Sequence, residues 1–225
     1  VLPFPREEAQ LGWLLQGTDT SAGAEMQEIL LVAVRLAIVE RYAQAIKDAD
    51  LKLVALDIAP MALKRWLLKN AQGASLIIDL GAESTQMHFY TNTKLVFSRS
   101  LSLGGGEATR AIAVASGLSF AEAEAKKLQG DYRDEELNSW YVELGREIQR
   151  SLEYYRANFS EQAGEAFDRV ILTGGAAMTR GADSLIREIT KVEPGFAEYS
   201  SKARSPRTDR IIYNVALGAG LWEGK

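Results

Sequence analysis

Three apolar runs in this chain finish in the same way, on glycine and small polar residues. They are "LIIDLGAEST" (76–85), "SLSLGGGEATRAIA" (100–113) and "VILTGGAAM" (170–178). Turns favour Asp and Gly for backbone reasons alone. Three such strand ends in one chain constrain the fold further, because glycine is where backbone can approach another group closely. Asp79-Leu80-Gly81-Ala82-Glu83-Ser84-Thr85 reads as a tight turn between strands. It reads equally as a hairpin whose N–H groups and hydroxyls face phosphate oxygens, with Asp79 holding a hydrated Mg²⁺. Leu172-Thr173-Gly174-Gly175-Ala176-Ala177 reads as a strand end opening a helix. It is either a short connection or a place where backbone meets an anionic ligand at a helix N-terminus. The spacing at Gly174 is not G-x-G-x-x-G, and no P-loop pattern occurs.

The flanking periodicity fixes the class. "EILLVAVRL" (28–36) reads as a buried strand and "AIVERYAQAIKDADL" (37–51) as an amphipathic helix, with Ile38, Tyr42, Ala45, Ile46 and Ala49 spaced by three and four. "KLVALDI" (52–58) reads as a second strand, and Pro60 suits the first turn of a helix over 60–70. That order is the βαβ grammar of an α/β domain. From residue 71 the pattern changes to three strands joined by tight turns, with "TNTK" (91–94) as a hairpin turn. Helices are expected over 106–117, 119–128 and 134–160. Ser119 and Glu122 have capping-box spacing, and Ile148, Leu152, Tyr155 and Phe159 line one face of the long helix. Strand, glycine turn and helix follow over 167–190, then a polar loop (200–209) and a closing helix (214–223).

Composition removes several functions. Among 225 residues there is no cysteine, so thiol nucleophiles, thiolate metal sites and disulfides are out. The single histidine, His88, leaves no common zinc site and is expected to be structural or at the surface. A net charge of −4 argues against nucleic-acid binding. No run reaches the roughly 18 to 20 apolar residues that span a bilayer, and "VLPFPREEAQ" has no signal-peptide character. A cytoplasmic protein is expected, shortened at its N-terminus because the chain opens without Met. Trp13, Trp66, Trp140 and Trp222 are scattered singly and read as core or rim residues.

Taken in order, "LPFPREEA" (2–9), "VERYAQAIKDADLKLVALDIAPMAL" (39–63), the three glycine segments, "GLSFAEAEAKKL" (117–128) and "LGREIQRSLEYYRANF" (144–159) cover most of the chain. Together they resemble the type IV pilus assembly PilM family, a relative of FtsA within the actin-like ATPase superfamily. The resemblance implies an α/β fold of two lobes, each a mixed sheet flanked by helices. It places the first lobe at 1–70 plus a C-terminal return at 210–225, with a small inserted subdomain over 1–50. The second, nucleotide-binding lobe would cover 71–209, with a helical subdomain at about 104–140. It also implies ATP and Mg²⁺ as ligands. Asp79 would organise metal and water; Gly81, Ala82, Glu83 and Ser84 would lie along the phosphates. Gly174 and Gly175 would form the adenosine turn, and Glu124 with Lys127 would reach ribose and adenine. Read alone, Glu124 and Lys127 are a solvated helix face. The family's first phosphate hairpin is expected to be missing, so efficient hydrolysis is not expected; at most a weak ATPase is.

Two functions follow. One is a cytoplasmic, ATP-binding adaptor that meets the inner membrane by gripping the N-terminal peptide of a PilN-like partner, laid along a strand edge. The other is a small-molecule kinase of the same fold, which needs a substrate pocket and a base over the γ-phosphate. An FtsA-like filament, and self-association generally, depend on faces that sequence does not show.

Overall fold

The structure, a computed structural model, describes residues 2, 4–19, 26–163, 166–197 and 211–223; the predicted polar loop (200–209) lies outside them. The chain divides into two compact units, one ending at Asp57 and one running from Ile58 to Glu223.

In the first unit, strand β1 (Ala9–Asp19) pairs antiparallel with β2 (Met26–Arg35), and helix α1 (Leu36–Asp48) follows. The register shifts between Leu15 and Gly17, a bulge that kinks the hairpin. β1 is not among the expected strands: Leu11, Trp13 and Leu15 alternate as a strand requires, but Gly12 and Gly17 weaken the strand propensity of the run. Two expectations are corrected here. Residues 52–58 form no strand among the described residues, and Leu53, Val54 and Leu56 are exposed. The βαβ crossover is therefore absent: the partner of β2 is the strand just before it. An antiparallel hairpin closes over a short connection, whereas a parallel pair must be bridged by a crossover of a dozen or more residues. The run at 52–58 has β-propensity, but it pairs with neither outer edge of the β1–β2 hairpin and lies outside both sheets.

The second unit is built on a five-stranded mixed sheet. Strands β3 (Ala74–Leu80), β4 (Thr85–Thr91) and β5 (Lys94–Leu101) form an antiparallel meander, and β6 (Arg169–Thr173) and β7 (Pro194–Phe196) add in parallel on the other side of β3. β3 is central, and Leu76, Ile77 and Ile78 are each 0% exposed, as a strand covered on both faces requires. The β4–β5 hairpin turns on Asn92 and Thr93, both at positive φ (47° and 69°), which matches the right-handed twist of the strands it joins.

One face of this sheet holds the main core. Leu76, Ile78, Leu80, Met87 and Phe89 pack against helices α3 (Gly105–Ser116) and α5 (Asn138–Ala163) through Ile112, Trp140, Ile148, Leu152 and Tyr155. Phe89 stacks on Tyr155 at 4.6 Å. Each fully buried side chain of this size contributes about 1.5–3 kcal/mol. Between α3 and α5 lies α4 (Phe120–Gln129), which carries the expected capping box: Ser119 Oγ accepts from the Glu122 amide at 3.3 Å and Glu122 accepts from the Ser119 amide at 2.9 Å. Helix α5 begins later than 134, since Asp134–Leu137 is a 3-10 turn.

The opposite face meets α2 (Ala59–Leu67), with Pro60 in its first turn, and Tyr90 donates to the Pro60 carbonyl at 2.7 Å. Asn214, first residue of α7 (Asn214–Gly220), donates to Thr173 Oγ1 at 2.8 Å and accepts from Trp66 at 2.9 Å. It thereby ties α7 to the end of β6 and to α2. His88 is 1% exposed, so it is a structural histidine; its Nδ1 lies 2.8 Å from Ser98 Oγ. Trp140 is core, whereas Trp13 is 72% exposed, neither core nor rim.

Candidate functional site

Register brings the glycine turns together. β3 and β6 run parallel with Ile78 opposite Leu172 and Asp79 opposite Thr173. Both strands therefore finish at the same level, and the 81–84 turn emerges beside Gly174. The fit is close. Gly174 stands at φ +86°, and a methyl group there would overlap Asp79 Oδ1 and the Leu80 carbonyl. Only glycine meets both demands.

The triple glycine docks onto the same spot. The Gly105 amide donates to the Gly81 carbonyl at 2.9 Å and the Gly106 amide to Ala82 at 2.7 Å. A methyl at Gly104 would come within 2.7 Å of both carbonyls, and Trp140 Nε1 donates to the Gly104 carbonyl at 3.0 Å. The first turn of α3 thus uses its unpaired amides to hold the β3–β4 turn by its carbonyls. The Ala82, Glu83 and Ser84 amides donate to no group among the described residues, and Ala82 and Glu83 are exposed. Ser84 Oγ accepts from Gln86 at 3.4 Å, and Gln86 also donates to Ser100 at 2.7 Å.

Asp79 is half-buried, and burial raises its carboxyl above the ordinary carboxylate range. Glu124 and Lys127 are not a solvated face. Lys127 Nζ lies 2.7 Å from Glu124 and donates to the Gly105 carbonyl at 2.9 Å and to Thr109 Oγ1 at 2.7 Å. Thr109 Oγ1 reaches both Glu124 and Gly105. Hydrogen bonds from Lys127 and Thr109 outweigh the desolvation that opposes them, holding the Glu124 carboxyl below its usual range. α4 is pinned by this cluster to the start of α3.

Asp79, Gly81, Ala82 and Gly174 are thus brought into one place, with Lys127 adjoining through Gly105, whose added methyl would sit 3.0 Å from Ala176. Glu83 lies exposed at the tip of the turn. Gly175 starts a 3-10 turn, Gly175–Met178, and helix α6 (Ala182–Thr190) begins only after Gly181 at φ +79°. The expected order of strand, glycine turn and helix over 167–190 holds, but the turn at 172–177 opens only a 3-10 turn: a left-handed residue separates it from α6, and a single 3-10 turn lacks the summed dipole of a long helix. Thr109, Trp140 and Gln86 escaped the sequence reading. Thr109 lies one helical turn after Gly105, a spacing that flags it once Gly105 is known to matter. Nothing in the sequence joins Trp140 to Gly104.

Comparison with known proteins places this geometry. The family model described as "Type IV pilus assembly protein PilM" matches residues 1–212. A chain in the solved PilM-PilN type IV pilus biogenesis complex is 27% identical, with a TM-score of 0.77, covering 98% of this chain and 68% of that one. MreB 5 of Spiroplasma citri bound to AMPPNP is 18% identical with a TM-score of 0.66, covering 84% of this chain and 65% of that one. Ethanolamine utilization protein EutJ from Carboxydothermus hydrogenoformans is 18% identical with a TM-score of 0.62, covering 82% and 60%. The last two establish the architecture alone, the mixed α/β fold of actin-like ATPases. No described helix is long and apolar enough to cross a membrane. With its fold, its glycine turns and the match over residues 1–212 in agreement, the chain belongs to the type IV pilus assembly protein PilM family.

Proposed function

We propose that this chain is an ATP-binding adaptor of type IV pilus assembly. It would hold nucleotide in the second unit and a PilN-like inner-membrane protein by that protein's cytoplasmic N-terminal peptide, and so work in the cytoplasm at the membrane. The observation that supports nucleotide binding most is the meeting of Gly81–Ala82, Gly104–Gly105 and Gly174 beside Asp79. The glycines let the three turns pack backbone against backbone, and the Ala82, Glu83 and Ser84 amides, which donate to no group among the described residues, are the donors a phosphate would take. Gly174 and Gly175 are the adenosine turn in this reading; Glu124 and Lys127 serve ribose and base.

The groups present fit a magnesium nucleotide. Mg²⁺ keeps most of its waters and takes one or two carboxylates plus phosphate oxygens, so the lone Asp79 suffices where no cluster of three metal-ligating side chains occurs among the described residues. The ion would neutralise phosphate charge, and its own charge would draw the raised Asp79 carboxyl back to the ionised form. For the partner, the β1–β2 sheet has two strands among the described residues, so each offers an outer edge to an extended peptide.

Titration calorimetry of the chain with ATP and Mg²⁺, beside Asp79→Ala, tests the reading. Saturable binding that the variant weakens at least tenfold is expected; wild-type heats no larger than dilution at millimolar ATP would end the nucleotide half. The partner half stands or falls on a labelled PilN N-terminal peptide titrated into the same chain, a scrambled peptide being the reference.

A further inference from the structure

We infer that Arg180 is a positioning residue that sets the distance between the two arms holding the adenosine. This rests on the nucleotide reading above. One arm is α4, which carries Glu124 and Lys127; the other is the Gly174–Met178 turn. Nothing in the sequence marks Arg180, yet both arms converge on it.

The α4 arm ends at Gly130, in left-handed conformation (φ +70°). The last carbonyls of a helix have no partner within it. The Gly130 and Asp131 amides take carbonyls of the last turn, and Arg180 holds the backbone just beyond it: its Nη2 donates to the Gly130 carbonyl at 2.7 Å and its Nη1 to the Tyr132 carbonyl at 3.0 Å. The guanidinium also lies 4.9 Å from the centre of the Tyr132 ring, a cation–π distance. On its own side the residue is gripped through its backbone. Tyr132 Oη accepts from the Arg180 amide at 2.8 Å, and Tyr141 Oη donates to the Arg180 carbonyl. The Thr179 amide, one residue earlier, donates to Ala176 at 3.0 Å, linking Arg180 to the 3-10 turn.

The ordinary alternative is a surface ion pair. Arg180 does reach Asp134, at 3.4 Å, but both side chains are more than half exposed, and such a pair is worth little. Its shorter bonds go to main-chain carbonyls, so what Arg180 fixes is the path of the 130–134 backbone against the 174–180 backbone. Lys127 lies less than one helical turn before Gly130, so that distance carries directly to the groups expected to meet ribose and base. A lysine would not substitute, since it lacks the planar fork that reaches two carbonyls at once.

Hydrogen exchange on the nucleotide-free chain tests the clasp, using wild type, Arg180→Ala and Arg180→Lys; ATP with Mg²⁺ is then titrated into all three. Arg180→Ala is expected to speed exchange at least tenfold in 120–134 and in 174–180 together, while β3, β4 and β5 keep their protection. The ATP dissociation constant is expected to rise at least fivefold, with Arg180→Lys close to Arg180→Ala. Unchanged exchange in either arm overturns the inference. So does an unchanged ATP constant, or a loss of protection that spreads through β3–β5, which would mark Arg180 as general support for the fold. Wild type that binds no ATP removes the nucleotide reading and the adenosine role with it, and exchange then still decides whether the clasp exists.

Discussion

The β3 strand and the β1–β2 hairpin are both rich in apolar residues, and they treat them in opposite ways. In β3, Leu76, Ile77 and Ile78 are 0% exposed. In the hairpin, Leu11, Trp13 and Leu15 pair across the strands with Ala33, Leu31 and Ile29 on a single face, and five of those six side chains are exposed. The same composition thus serves as core where helices cover both faces, and as open surface where they do not. Apolar runs report propensity; burial comes from neighbours.

That contrast can be broken by experiment. Ile78→Ala should cost about 4 kcal/mol of stability, the transfer loss plus an unfilled cavity in a site that cannot collapse, read as a shift in the urea midpoint. A larger residue where two elements touch should cost nearly as much. Gly218 of α7 packs against α2 so closely that an added methyl would overlap the Ala62 carbonyl oxygen. Gly218→Ala should therefore lose about 3 kcal/mol, measured in the same assay; a loss below 1 kcal/mol would mean that the two helices slide apart easily.

His88 sharpens the comparison through pH. Burial lowers its ring from the ordinary 6.5 to about 4, and its Nε2 has no partner among the described residues. Between those values the unfolded chain binds the proton and the folded chain does not, so stability falls as pH drops through 6.5 towards 4 and is fully present above. By pH 5 the loss should reach about 2 kcal/mol. His88→Gln should flatten that part of the profile, and a profile that keeps its slope would assign it to other groups. The smallest effect belongs to the open face. Trp13→Ser should change stability by no more than about 0.5 kcal/mol while reducing the binding of a hydrophobic dye.

Legibility followed the same division. Strands β3 to β6, the Asn92–Thr93 hairpin, the Ser119 cap and the long helix all rest on local patterns, and each formed within a few residues of its predicted place, whereas the short β7 was not expected. Misreadings came where a pattern depended on something distant. "KLVALDI" has strand propensity but pairs with no strand among the described residues. The helix expected to open at the 172–177 turn begins only after Gly181, whose left-handed backbone breaks the path. For the site, Asp79, Gly81 and Gly174 drew notice through their own turns, yet Glu124 and Lys127 read alone were an ordinary solvated face.

From the chain itself came most of the second unit's elements, the three glycine-ended strands and the absence of cysteine, because these depend on steric preference and spacing along one backbone. Only the tertiary structure could decide that the three turns meet. The parallel register of β3 with β6 ends two strands at one level, and the amides of Gly105 and Gly106 close the third turn onto the first. Those bonds join residues far apart in sequence, and which carbonyl an unpaired amide finds is settled only when packing brings the two together.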